Sequence, residues 1–160
     1  MSVRPALLVA LAACGSQGGT EPRCGPSQAM VASVIDGDTV VLDDDTRVRY
    51  ILADTNEITN GHMDCYGEEA RQYNASLVEG KLVDLTYDTE CIDRFGRLLA
   101  YVAVQGREVN RLLVERGYAC VLYIPPDGAS KHDDYVAAEA LARSEMRGMW
   151  GACEVVACDQ

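Results

Sequence analysis

The stretch RVRYILADTNEI, Arg47 to Ile58, changes character midway. Val48, Tyr50 and Leu52 alternate with Arg47, Arg49 and Ile51, the period of two that predicts a strand with one face on a core. At Asp54-Thr55-Asn56-Glu57 polarity takes over. A turn accounts for Asp54 and Asn56, whose short side chains bond their own backbone and tolerate left-handed conformations. It does not account for Glu57, nor for arginines on the strand that leads there.

Outward from this stretch, Met30 to Ile35 and Thr39 to Leu42 read as strands joined at Asp36-Gly37-Asp38, with glycine where a tight turn wants it. Leu82 to Tyr87 and Leu98 to Val104 read as two more. Gly67 to Glu79 predicts a helix with Ala70, Tyr73, Leu77 and Val78 on one face. Glu108 to Arg116 predicts a short helix stopped by Gly117. Ala119 to Ile124 reads as extended, ended by Pro125-Pro126. Lys131 to Arg147 predicts the last helix, with Tyr135, Ala138, Leu141 and Ala142 on a shared side. Short strands with interposed helices give an α+β class, into which a small five-stranded Greek-key barrel fits.

The chain has 160 residues, one domain's worth, and no internal repeat. Its formal net charge of -11 repels polyanions, so any nucleic-acid site must be locally cationic. Residues 1–13 read as a signal peptide: Arg4, then a short apolar run from Ala6 to Ala13, too short to span a bilayer. Leu11 to Cys14 resembles a bacterial lipobox, which makes Cys14 the lipidated residue, residues 14–27 a flexible tether and the membrane a partner. That places the protein in the cell envelope, or outside the cell if the signal is conventional. Residues 28–153 are then the folded domain and 154–160 a short tail. The remaining cysteines, Cys24, Cys65, Cys91, Cys120, Cys153 and Cys158, are even in number, as disulfides in an exported chain require. Without a C-x-x-C pair, and with His62 and His132 far apart, a zinc site is not expected.

Asp38, Asp54 and Glu57 follow strand ends, with Arg49 and Arg97 as candidate cations beside them. Hard cations such as calcium take carboxylate and carbonyl oxygens. Arginine's planar fork matches phosphate. Carboxylates, a metal and two arginines together suggest phosphodiester chemistry. Each residue taken singly is a turn former, a helix cap or a solvated charge; their joint spacing is what argues for a site.

The segments VIDGDTVVL (Val34 to Leu42), RVRYILADTNE (Arg47 to Glu57), CYGEEA (Cys65 to Ala70), DRFGRLLAYV (Asp93 to Val102), EVNRLLVERGYA (Glu108 to Ala119) and GMWGAC (Gly148 to Cys153) resemble, in order, the staphylococcal nuclease family. The resemblance implies an OB-fold barrel with three helices and calcium-dependent hydrolysis of DNA and RNA, on single-stranded or locally unpaired substrate, by a monomer. By position it implies Asp38, Asp54 and the Thr55 carbonyl as calcium ligands and Asp36 as their support. It implies Glu57 as general base or water-positioning group, and Arg49 and Arg97 as phosphate clamps. Arg94, Phe95 and Tyr123 fall on nucleotide-contacting positions. Asn56 replaces the family's usual proline, which implies a looser Glu57 loop, and Pro125 replaces a nucleotide-contacting tyrosine. Cys65–Cys91 is the expected brace of the Arg97 loop, with Cys120–Cys153 and Cys24–Cys158 completing the pairing. Two other readings use the same residues: a non-catalytic nucleic-acid-binding module of the same fold, and a surface lipoprotein whose calcium site is structural.

Overall fold

A computed structural model describes residues 24–58, 61, 63–156 and 158. Six strands and four helices follow in the order β1 (Gln28–Asp36), β2 (Thr39–Leu42), β3 (Arg47–Tyr50), α1 (Gly67–Val78), β4 (Leu82–Thr86), β5 (Leu98–Val104), β6 (Arg107–Glu108), α2 (Val109–Glu115), α3 (His132–Ser144) and α4 (Met149–Ala152). The sheet runs β3-β2-β1-β4-β5-β6, and β3 also pairs in parallel with β5. That last pairing closes five strands into a mixed barrel, with two-residue β6 as an appendage. Closure removes the open edges on which other chains could pair. The α+β five-stranded barrel with three principal helices is therefore present, and α4 adds a single further turn.

Alternation explains the barrel wall. On β3, Arg47 and Arg49 face outward while Val48 and Tyr50 are buried. Val31, Val40, Val48, Val83, Ala100 and Val102 from five different strands fill the interior. The Tyr50 hydroxyl donates to Asn74 Oδ1 (3.0 Å), tying β3 to α1 through a buried polar contact. Asn110, fully buried on α2, receives the Val102 N–H and donates to the Ile51 and Ala100 carbonyls. It thereby ties β5 to the Ile51 turn through buried backbone groups.

Several sequence expectations change. The alternation through Leu52 does not continue as strand. β3 ends at Tyr50, and Ile51, Leu52 and Ala53 are all buried, with Leu52 at φ 61. Ala119 to Ile124 forms no strand; its one ladder contact is the Asp54–Cys120 bridge. Leu141 of α3 is exposed, leaving Tyr135, Ala138 and Ala142 as the buried side.

The cysteines meet in an order different from the expected one. Cys24 lies by Cys91, Cys65 by Cys153 and Cys120 by Cys158, with Cα separations of 4.9, 6.0 and 6.0 Å, each within disulfide reach. The Tyr87 hydroxyl donates to the Pro26 carbonyl and Leu85 N–H to the Ser27 carbonyl, which lays the segment before β1 beside Cys91. Tyr66 packs in the second apolar cluster with Trp150, Cys153 and Cys158, which takes Cys65 to α4 and away from Cys91. Residues 24–27, read as part of a tether, are thus docked on the barrel. Val156 of the expected tail is buried. Cys14 and the signal-like segment lie outside the described residues.

Candidate active site

Asp36 and Asp38 flank Gly37 in the β1–β2 turn. A Cβ at Gly37 would lie 2.5 Å from Thr55 Cγ2 and 2.8 Å from Ala70 Cβ. Glycine is required there because the turn lies flat against the Thr55 segment and α1. This close approach couples two stretches of chain that each carry carboxylates. Asp38, 4% exposed, accepts from Thr55 N–H (2.7 Å), Thr55 Oγ1 (3.1 Å) and Thr39 Oγ1 (3.0 Å). Its own N–H donates to Asp36 Oδ1.

Arg49 holds the centre. Its Nε lies 3.1 Å from Asp38 Oδ1, and its Nη2 lies 2.5 Å from Asp54 Oδ1. Its Nη1 donates to the Tyr50 and Ala53 carbonyls. The planar fork is thus fixed by two carboxylates and two carbonyls around the turn that follows β3. Asp54 keeps half-open access to solvent, while its backbone is held by paired hydrogen bonds with Cys120.

Carboxylates outnumber cations here, and their protonation equilibria register it. Burial, then the charge of Asp38, pushes Asp36 up to about 7. Asp54 is raised by burial, opposed by Arg49 and reinforced by Asp38 and Glu57. Among the described residues no three His, Cys, Asp or Glu side chains form a ready cage for a metal. Asp38 and Asp54 do converge on one guanidinium, and the excess negative charge around them suits a hard cation.

Glu57 is exposed and opens on a cavity of about 520 Å³ lined by Ile35, Asp36, Thr39, Arg47, Phe95 and Arg97. The described residues on either side of it are tied to one another. Asn56 is 3% exposed and its amide donates to the Cys65 carbonyl, while Asp64 N–H donates to the Glu57 carbonyl. Gly67 lets α1 close on this loop, since a Cβ there would meet the Asn56 carbonyl oxygen at 2.7 Å. The asparagine does by hydrogen bonding what a proline does by fixing φ.

Arg97 is set by an Asx-type turn that the sequence reading did not use. Asp93 Oδ1 accepts from the Phe95 and Arg97 N–H groups, and its Oδ2 from Arg97 Nε (2.7 Å). Burial alone would raise the Asp93 carboxyl; these hydrogen bonds outweigh it and hold it below the ordinary carboxylate range. The Arg94 and Arg97 guanidinium carbons lie 4.7 and 5.4 Å from the centre of the Phe95 ring, and Phe95 is 68% exposed.

A second cavity, of about 450 Å³, is lined by Arg49, Arg94, Phe95, Arg97, Leu122 and Ile124 among others. Phe95 and Arg97 belong to both cavities. Tyr123 does not line either one. Leu122 and Ile124 line the second cavity, while the Tyr123 ring lies 4.7 Å, centre to centre, from the His132 ring. Of the positions marked in the sequence, Asp36, Asp38, Arg49, Asp54, Thr55, Glu57, Arg94, Phe95 and Arg97 are thus gathered at one end of the barrel, and Tyr123 stands apart. The missed supports are Thr39 and Asp93. Only the last left a signal, the D-x-x-G turn before Arg97.

Comparison with known proteins gives a family model described as staphylococcal nuclease homologue, matching residues 47–152. Endonuclease YncB of Bacillus subtilis (strain 168) is 37% identical over 123 residues, which cover 72% of this chain and 58% of that protein. The SPbeta prophage-derived endonuclease YokF of the same strain is 37% identical over 123 residues, 72% of this chain and 41% of that protein. The thermonuclease of Staphylococcus intermedius is 37% identical over 103 residues, 61% of each chain. The chain thus spans about four- to six-tenths of the length of these relatives.

Proposed function

The chain belongs to the staphylococcal nuclease family, and from that premise we propose that it is an endonuclease that hydrolyses phosphodiester bonds in single-stranded or locally unpaired DNA and RNA with calcium. The observation that carries the reading is the shared cavity: Glu57, Arg97 and Phe95 line it together, and the Asp38–Arg49–Asp54 cluster belongs to the same gathered end of the barrel. Asp38, Asp54 and the Thr55 carbonyl would hold the cation, whose hard oxygen-donor chemistry they match. Bound there, calcium supplies positive charge to a phosphoryl oxygen. Arg49 and Arg97 orient the phosphate and offset the charge that builds on it as the bond to the leaving oxygen lengthens. Glu57 accepts a proton from the attacking water. Phe95 offers a face to any base, consistent with low sequence selectivity.

Anchorage to the envelope through Cys14, or secretion, belongs to the same proposal and is supported by the lipobox-like Leu11 to Cys14 alone. Incubation of the purified chain with single-stranded DNA and with RNA tests the reading. Cleavage should require calcium, stop with EDTA and return with added calcium. Magnesium should serve poorly, because it demands a tighter octahedral shell and dehydrates reluctantly. Binding of nucleic acid without cleavage under any of these conditions would reject it.

A further inference from the structure

Arg47 has no part in the mechanism above. It stands two residues before Arg49 on β3, so both side chains leave the same face of the strand while Val48 and Tyr50 enter the core. The two differ in what holds them. Arg49 is fixed by two carboxylates and two carbonyls, and Arg97 by Asp93. Among the described residues the Arg47 guanidinium has no ion-pair or hydrogen-bond partner. This is an unpaired cation in a chain of formal net charge -11. It lines the same cavity as Glu57, Arg97 and Phe95.

We infer that Arg47 binds the phosphate next to the scissile one, so that the site recognises at least two consecutive phosphodiesters. The inference rests on the nuclease reading for where the scissile phosphate lies. Three observations converge on it. The two-residue step from Arg49 to Arg47 is about 7 Å, comparable with the spacing of successive phosphates along a nucleic-acid strand. The two cavities share Phe95 and Arg97, so a strand crossing Arg97 enters one cavity on each side, and Arg47 lines only the cavity that Arg49 does not. Phe95, a large aromatic that is 68% exposed, stands at the junction of the two cavities. Arginine suits the task because its fork gives two parallel hydrogen bonds to a phosphate.

The test compares two ligands, thymidine dinucleotide with one phosphodiester and thymidine tetranucleotide with three. Binding is measured by calorimetry in calcium, in a Glu57→Gln background that suppresses hydrolysis. Arg47→Gln should weaken the tetranucleotide about tenfold more than the dinucleotide, the size of one charge-assisted hydrogen bond. It should also lower the salt slope for the tetranucleotide by about one. Arg47→Lys should recover part of the loss. Arg107→Gln, on β6 and outside both cavities, removes the same charge and should affect the two ligands alike. Equal weakening of both ligands by Arg47→Gln, or none, overturns the inference. A parent chain that binds the tetranucleotide in an Arg47-dependent way and never cleaves it rejects the nuclease reading and leaves the subsite standing.

Discussion

Glu57 and Asp93 act on the site in different ways, and their substitutions should separate. Glu57 carries an exposed carboxylate on the cavity wall. Asp93 touches the site only through Arg97, by a carboxylate that accepts both backbone and guanidinium hydrogen bonds. Asp93→Asn keeps the shape of the turn but weakens its grip on Arg97, so KM should rise and kcat fall together. The sign of its pH effect follows from its depressed folded value. Asp93 contributes stability that is fully present above its ordinary value of about 3.9 and is lost as pH falls through the lower folded-state value. Asp93→Asn should therefore flatten the acid limb of the stability curve, as read by denaturation at stepped pH; an unchanged acid limb would contradict the turn's role. Arg97→Lys keeps the charge and loses the fork, and steady-state kinetics should show a loss of kcat/KM. The clustering of Asp54 and Glu57 after one strand made this residue set legible in sequence. Arg47 stands in the same stretch, but its importance comes from having no ion-pair or hydrogen-bond partner among the described residues, which a sequence does not display.

Between elements, the site depends on how closely the β1–β2 turn lies against the Thr55 segment. Gly37→Ala would press a methyl group onto Thr55 and Ala70 at distances real side chains do not adopt. The overpacking should cost about 1–3 kcal/mol in denaturant unfolding. It should also move Asp38 against Asp54, so activity should fall further than the unfolded fraction explains. Wild-type activity in a destabilised but folded Gly37→Ala would show that the turn does not set the carboxylates. Alternation and turn glycines revealed most strands, because a half-buried strand writes its burial into a period of two. The end of β3 at Tyr50 escaped that reading because Ile51 to Ala53 are buried in a turn, where apolar residues carry no period. The nearness of Cys24 to Cys91 and of Cys65 to Cys153 also escaped it. It depends on Tyr66 packing toward Trp150 and on the Pro26 segment docking at Tyr87, contacts of long sequence separation. Non-reducing peptide mapping should find Cys65 joined to Cys153 and Cys24 to Cys91; a Cys65–Cys91 peptide would contradict the fold's account.

For the molecule as a whole, the proposed function requires an acidic chain to bind a polyanion with few cations. Arg111, Arg143 and Arg147 are paired with carboxylates away from both cavities. Few counterions should therefore be released on binding, and the logarithm of affinity should fall shallowly with salt, reflecting about two to four phosphate contacts. A steep slope would reveal a basic stripe elsewhere. The proposed hydrolysis depends above all on Glu57 working as a base beside calcium. The most direct test is single-turnover cleavage of labelled single-stranded DNA in calcium by the parent chain and by Glu57→Gln, with binding measured on both. The rate should be about 10²–10⁴-fold lower for the variant, with nucleic-acid binding kept, because the amide preserves the shape while removing the basic carboxylate and its negative charge. Equal cleavage rates, or no cleavage by either protein in calcium, would contradict it.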